Sequence, residues 1–204
     1  TFGTQVFTIR GFTVDLSGDW PLIDYATEIQ RQTDINIWTA SDEAMKDTLA
    51  ALGVVYTGAD NRERLIDTLW KYCRKNIGGP AILINELTAL SPLAKKQRDN
   101  EQVVERFHFI IAGSEVGQGY SELNDPADQR ERFLAQQALR DAGDDEAQMA
   151  DMEFVEALEY GMPPTAGHGF SERLFAFFMD KPIREIQLFP LMKPRSISDS
   201  STAE

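Results

Sequence analysis

The chain has 204 residues, 42% of them hydrophobic, and a formal net charge of −13. That length suits one large domain or two small ones, no apolar run is long enough for a membrane span, and no signal peptide is visible. The acidic balance opposes non-specific binding to nucleic acid but leaves room for contact through a local basic patch, though no strong patch shows, and the single cysteine, Cys73, excludes an internal disulfide and fits a reducing compartment such as the cytoplasm.

Residues 4–16 alternate apolar and polar side chains around Gly11, which predicts two strands or one bent strand. Pro21–Gln32 is expected to be a helix with Leu22, Ile23, Ala26 and Ile29 on one face. Ser41–Leu52 is a second helix, capped by Ser41 and stopped by Gly53. Asp60 and Glu63 have capping-box spacing for a third, running to about Asn76. Its buried stripe is Leu65, Ile66, Leu69, Trp70 and Cys73, while Lys71, Arg74 and Lys75 face out near the C-terminus, where cations complement the helix dipole. Ala81–Asn85 reads as a short strand and Ser91–Arg98 as a polar loop with the solvated bases Lys95, Lys96 and Arg98.

The next stretch, Phe107–Phe133, carries the chemistry. Phe107–Ala112 suits a buried strand, and Gly113, Gly117 and Gly119 interrupt a second one, as glycines do where a backbone or a ligand comes close. Glu115 and Glu122 flank those glycines. A carboxylate on a buried strand is costly unless it meets a cation, a metal or a donor. Asp125 then caps a helix with Pro126 in its first turn, and Gly143 ends that helix. Gln148–Tyr160 is expected to be a further helix closed by Gly161. Pro163-Pro164 leads in extended form to Thr165–Gly169, and Glu172–Met179 is a last helix whose Phe175, Phe177 and Phe178 are core. Residues 196–204 are polar and expected to be disordered.

The string Gly119-Tyr120-Ser121-Glu122-Leu123-Asn124-Asp125-Pro126, continued by Asp128-Gln129-Arg130-Glu131-Arg132-Phe133, resembles class II lysyl-tRNA synthetases. Ser91-Pro92-Leu93-Ala94-Lys95 upstream, and Glu156–Thr165 and Leu188–Arg195 downstream, agree in the same order, so that the likeness covers about residues 10–195. It implies an α+β fold, a mainly antiparallel sheet with flanking helices. This would be a partial class II catalytic core over residues 1–195, with a helical segment at about 20–78. It also implies ATP-dependent activation of lysine and its transfer to tRNA, with Mg²⁺ as the metal. In the family the Ser91–Arg98 loop borders the active site, and the enzymes are homodimers.

By that resemblance Glu122 reads the lysine ε-ammonium, where the related aspartyl enzymes need an arginine. Gln118 takes a place where the family commonly has Asn holding the substrate α-carboxylate, and Tyr120 lies beside it in the lysine site. Glu115 matches a glutamate that holds Mg²⁺ on the ATP phosphates. The usual glutamate seven residues earlier is His108 here, a poorer ligand because Mg²⁺ prefers oxygen. The third class motif, usually Gly-x-Gly-x-Gly-x-(Glu or Asp)-Arg, reads Gly167-His168-Gly169-Phe170-Ser171-Glu172-Arg173. It is one residue shorter and lacks the third glycine. Gly167 and Gly169 would let backbone approach ATP, and Arg173 would bind its phosphates and act in catalysis. No counterpart of the first two class motifs or of the anticodon-binding barrel is found. The expected reading is therefore a C-terminal piece of the core, inactive in isolation. The alternatives are a paralogue that lysylates a protein and a non-catalytic synthetase-like binding module.

Overall fold

In the computed structural model, residues 2–56, 61–171 and 173–189 are described. A hairpin comes first. Strands β1 (Val6–Ile9) and β2 (Phe12–Asp15) pair antiparallel about Arg10 and Gly11, both at positive φ. Strand β3 (Leu22–Asp24) precedes three helices, α1 (Tyr25–Thr33), α2 (Asp42–Ala51) and α3 (Arg62–Arg74). Strands β4 (Ala81–Ile84), β5 (Arg106–Ile111) and β6 (Ser114–Ser121) follow, then helices α4 (Pro126–Asp141) and α5 (Met152–Glu159). Strand β7 (Ala166–Phe170) and the short helix α6 (Leu174–Phe178) come last among the described elements. The main sheet runs β3-β4-β5-β6-β7, and only its β3–β4 pair is parallel. The fold is thus α+β with a mainly antiparallel sheet, as expected.

The sheet buries both faces. Ala81, Leu83 and Ile110 pack against α1–α3 through Ile29, Met45, Leu49, Leu65 and Leu69. Ile111 and Val116 face the other way, against Ile9 and Val14 of the hairpin and Leu174 and Phe177 of the α6 segment. Burying each such aliphatic side chain contributes about 1.5–3 kcal/mol. Cys73 is fully buried in the helical core, as its place on the α3 stripe predicts.

Several boundaries differ from expectation, each for a local reason. Pro21–Gln32 is not one helix, because Leu22–Asp24 pairs with β4 and leaves Leu22 66% exposed. Asp24 then caps α1, accepting from Thr27 N, and also receives Asn85 Nδ2. Asp60 lies outside the described residues. The α3 cap is Asn61, whose Oδ1 accepts from Arg64 N at 2.9 Å. Arg74 does not face out with Lys71; it turns to the sheet. Gln148 and Ala150 do not start α5, since their N–H groups are taken by the side chains of Gln136 and Gln137, and Asp151 caps the helix instead. Helix α6 starts at Leu174, and Phe175 is exposed and stacked on Phe2 rather than in the core. Residues 196–204 lie outside the described residues.

The turn after α4 is clasped to α3. Asp144, 3% exposed, accepts from Arg64 Nε at 2.8 Å and Asn61 Nδ2 at 3.0 Å. Burial pushes its carboxyl up, but the bonds from Arg64 and Asn61 outweigh that and hold it below the ordinary value of 3.8. A depressed acid contributes stability that is present above its unfolded value and is lost as pH falls through its folded one. Asp144→Asn is therefore expected to cost about 1.5 kcal/mol near neutral pH, the size of a bond to a charged group. In urea melts the gap from wild type should close as pH drops below 3.8. A gap independent of pH would assign the clasp to shape alone.

Candidate active site

A cleft of about 640 Å³ lies over β6 and β7. The register explains which side chains reach it. Gln118 stands opposite His108 on β5 and Gly169 on β7, and Tyr120 stands opposite Arg106 and Gly167, so these six share one face. That face is the one α1–α3 cover further along, over Leu83 and Ile110. Between Phe109 and Ile110 the register slips, and Glu115 rather than Val116 pairs with Ile110. The extra residue in β6 turns Glu115 to the helical face and lets Val116 pack in the opposite core, as a bulge does.

The glycines fall into two groups. A Cβ on Gly119 would come 2.6 Å from the Phe107 ring and 2.8 Å from the Gly167 carbonyl, and one on Gly117 would come 2.6 Å from the Phe170 ring. Of the two expected reasons, a close backbone or a close ligand, the first holds here: these two glycines make room for neighbouring backbone and rings. Around Gly167 and Gly169 a Cβ would meet nothing within 4 Å, so β7 gives the cleft a floor of bare backbone.

Two carboxylates line the cleft, and they differ. Glu122 follows the end of β6, with its N–H donated to Thr165 O and a bridge to Ala94 of the Ser91–Arg98 loop. That loop also gives Lys95 N to Ser121 O at 2.8 Å, so it lies against the end of β6 beside Glu122. The half-buried Glu122 side chain has no hydrogen-bond or ion-pair partner among the described residues. Glu115, with its side chain 28% exposed, is tied down. Its Oε1 accepts from Trp70 Nε1 at 2.9 Å and is ion-paired with Arg74 Nη1 at 2.9 Å. Burial works against its ionised form, but His108, Trp70 and Arg74 together hold its carboxyl below the usual range. His108 is 6% exposed, with Nε2 2.8 Å from Glu86 Oε2 and Nδ1 3.7 Å from Glu115 Oε2.

Arg106 organises the floor and was not foreseen. Its guanidinium donates to Ser91 Oγ at 2.7 Å and to Gln118 Oε1, has Nε 3.3 Å from Glu86 Oε2, and lies 5.6 Å from the Tyr120 ring centroid. Because Arg106 occupies Gln118 Oε1, the Gln118 amide nitrogen is left as donor toward the cleft. The signal for Arg106 was its spacing two before His108 on one strand, which becomes informative only with the β5–β6 register.

The structure brings Glu122, Gln118, Tyr120, Gly167, Gly169, Glu115 and His108 to one cleft, but not Arg173. Glu172 lies outside the described residues. Arg173 is exposed, donates its N–H to Ser171 Oγ, and lines a separate concavity of about 420 Å³ with Arg10, Phe177 and Lys181. The chain turns at Ser171, and the short α6, packed on the β1 side, carries Arg173 away from the glycine floor.

An antiparallel sheet with a glycine-floored cleft and an acid at its rim fits a class II synthetase core, and the sequence comparison agrees. The chain belongs to the class II tRNA synthetases of the D, K and N group, whose family model matches residues 4–193. Among curated proteins it is similar to the lysine–tRNA ligase of Fervidobacterium nodosum, 41% identical over 97% of this chain and 39% of that protein. It is 38% identical to the lysine–tRNA ligase of Thermotoga maritima, covering 98% of this chain and 40% of the relative, and 36% identical to that of Porphyromonas gingivalis over 99% and 36%. The chain therefore spans about two fifths of the length of these relatives.

Proposed function

We propose that this chain forms the lysine-reading part of the catalytic core of a lysine–tRNA ligase. The observation that carries the reading is Glu122, a cleft carboxylate with no protein partner among the described residues. A half-buried anion of this kind is suited to an ammonium group. In the reaction the lysine carboxylate attacks the ATP α-phosphate, pyrophosphate leaves, and the lysyl group then passes from the resulting adenylate to a tRNA hydroxyl with release of AMP. Glu122 would hold the ε-ammonium at one end. The Gln118 amide nitrogen, aimed by Arg106, would donate to the α-carboxylate at the other, and Tyr120 would wall the side chain between them. Fixing both ends places the nucleophile, which is the larger part of what a positioning site supplies.

Gly167 and Gly169 would let the nucleotide lie on backbone. The ATP role of Arg173 belongs to the same reading and requires its guanidinium to turn from the Arg10 concavity toward those glycines. A cytoplasmic homodimer is also part of this reading, supported by the family resemblance. Mg²⁺ is implied at Glu115 and His108 by the resemblance, but the donors there do not fit it.

The test is exchange of labelled pyrophosphate into ATP by the full-length protein, with lysine or norleucine. Norleucine keeps the four side-chain carbons and lacks the ammonium, so only lysine is expected to support exchange. Equal turnover with both would overturn the reading. The 204-residue chain alone is expected to stay at background.

A further inference from the structure

We infer that Glu115 is a strut joining β6 to α3, and that the wall it forms with His108 carries no divalent-cation site. A hard cation such as Mg²⁺ takes about six oxygen ligands in near-octahedral geometry at roughly 2.0–2.1 Å. Here Glu115 Oε1 already accepts from Trp70 Nε1 and is ion-paired with Arg74 Nη1, each at 2.9 Å. One oxygen of that carboxylate is left, and His108 Nδ1 stands 3.7 Å from it. The other His108 nitrogen is spent on Glu86 Oε2 at 2.8 Å.

Charge argues the same way. Glu86 and Glu115 face Arg106 and Arg74, two anions against two cations, with His108 between the glutamates. A carboxylate site attracts a divalent cation through uncompensated negative charge, and this network has none. An entering ion would find a single free oxygen on Glu115, and to gain the second it would have to displace a guanidinium and lose the indole bond. Among the described residues no group of three or more His, Cys, Asp or Glu could hold a metal ion. The arrangement has a mechanical role instead. Glu115 sits where the β5–β6 register slips, and Trp70 and Arg74 are one helical turn apart on α3. The carboxylate therefore pins that helix over the slipped position. The inference stands on these contacts whatever the substrate.

The experiment uses no lysine and no nucleotide. Mn²⁺, a paramagnetic stand-in for Mg²⁺, is titrated into the isotopically labelled chain while its amide resonances are followed. The amides of His108, Glu115 and Val116 are expected to keep their intensity while exposed acidic segments broaden. Selective broadening at those three that Mg²⁺ reverses would overturn the inference. In thermal melts Glu115→Gln should lower the midpoint by the same amount with Mg²⁺ and with a chelator, because the strut is lost either way. A loss seen only with Mg²⁺ would also overturn it. The pair Arg74→Ala with His108→Glu frees one carboxylate and adds another, and should gain Mn²⁺ broadening that wild type lacks. If that pair fails to fold, the wild-type titration still decides.

Discussion

Glu122→Gln in the full-length protein is expected to weaken lysine binding by about two to three and a half orders of magnitude. The change removes one charge at nearly constant volume. Breaking a desolvated ion pair from one side costs about 3–5 kcal/mol, and each 1.4 kcal/mol is about tenfold in affinity. ATP affinity should change little, since Glu122 lies at the end of β6 beside the Ser91–Arg98 loop, and Gly167 and Gly169 are on β7. Thermal stability should also hold, because the carboxylate supports no bond among the described residues. Calorimetric titration with lysine decides the matter. Unchanged lysine affinity would remove Glu122 from the lysine site, and a large fall in melting temperature would give it a structural partner instead.

Arg106→Met is expected to damage both the sheet and the cleft. The side chain removed joins Ser91, Gln118 and Glu86, and the Glu86 side chain is only 14% exposed. Removing one partner of a buried pair costs about 3–5 kcal/mol; His108 stays with Glu86, so we expect the lower end, about 3 kcal/mol. The urea midpoint measures that loss. Lysine affinity should fall separately, since Gln118 loses the bond that aims its amide and Tyr120 loses the cation on its ring. Arg106→Lys keeps the charge without the planar fork and should recover stability better than lysine affinity. Equal recovery of both would mean that Arg106 acts only through the fold.

Much of the architecture was readable because it rests on neighbours in the chain. The caps at Ser41 and Asp125 and the stops at Gly53 and Gly143 are decided within one or two turns. So are the α3 stripe from Leu65 to Cys73 and the apolar β5. Where expectation failed, a distant group competed for the same backbone. Leu22–Asp24 carries an apolar helical pattern but pairs with β4, some sixty residues later in the chain. Gln148 and Ala150 lie where a helix start was plausible, until side chains of α4 claim their N–H groups.

The site divides the same way. The order of Glu115, Gln118, Tyr120 and Glu122 along one stretch, and the glycines before Arg173, are properties of the sequence, and they were enough to point to a family. Which face each side chain meets was not in them. Alternation along β6 from Gln118 puts Glu115 on the far face, and only the slipped register returns it to the helical side, where Trp70 and Arg74 take its carboxylate. Arg106 looked like the lead into a strand until pairing set it against Tyr120 and Gln118. Arg173 stood in the right order behind Gly169, but the packing of α6 on the hairpin sends it to Arg10. Local periodicity fixes the type of an element. The partners of a charged side chain depend on register and packing between segments far apart in the chain, and those follow from the burial of both sheet faces at once.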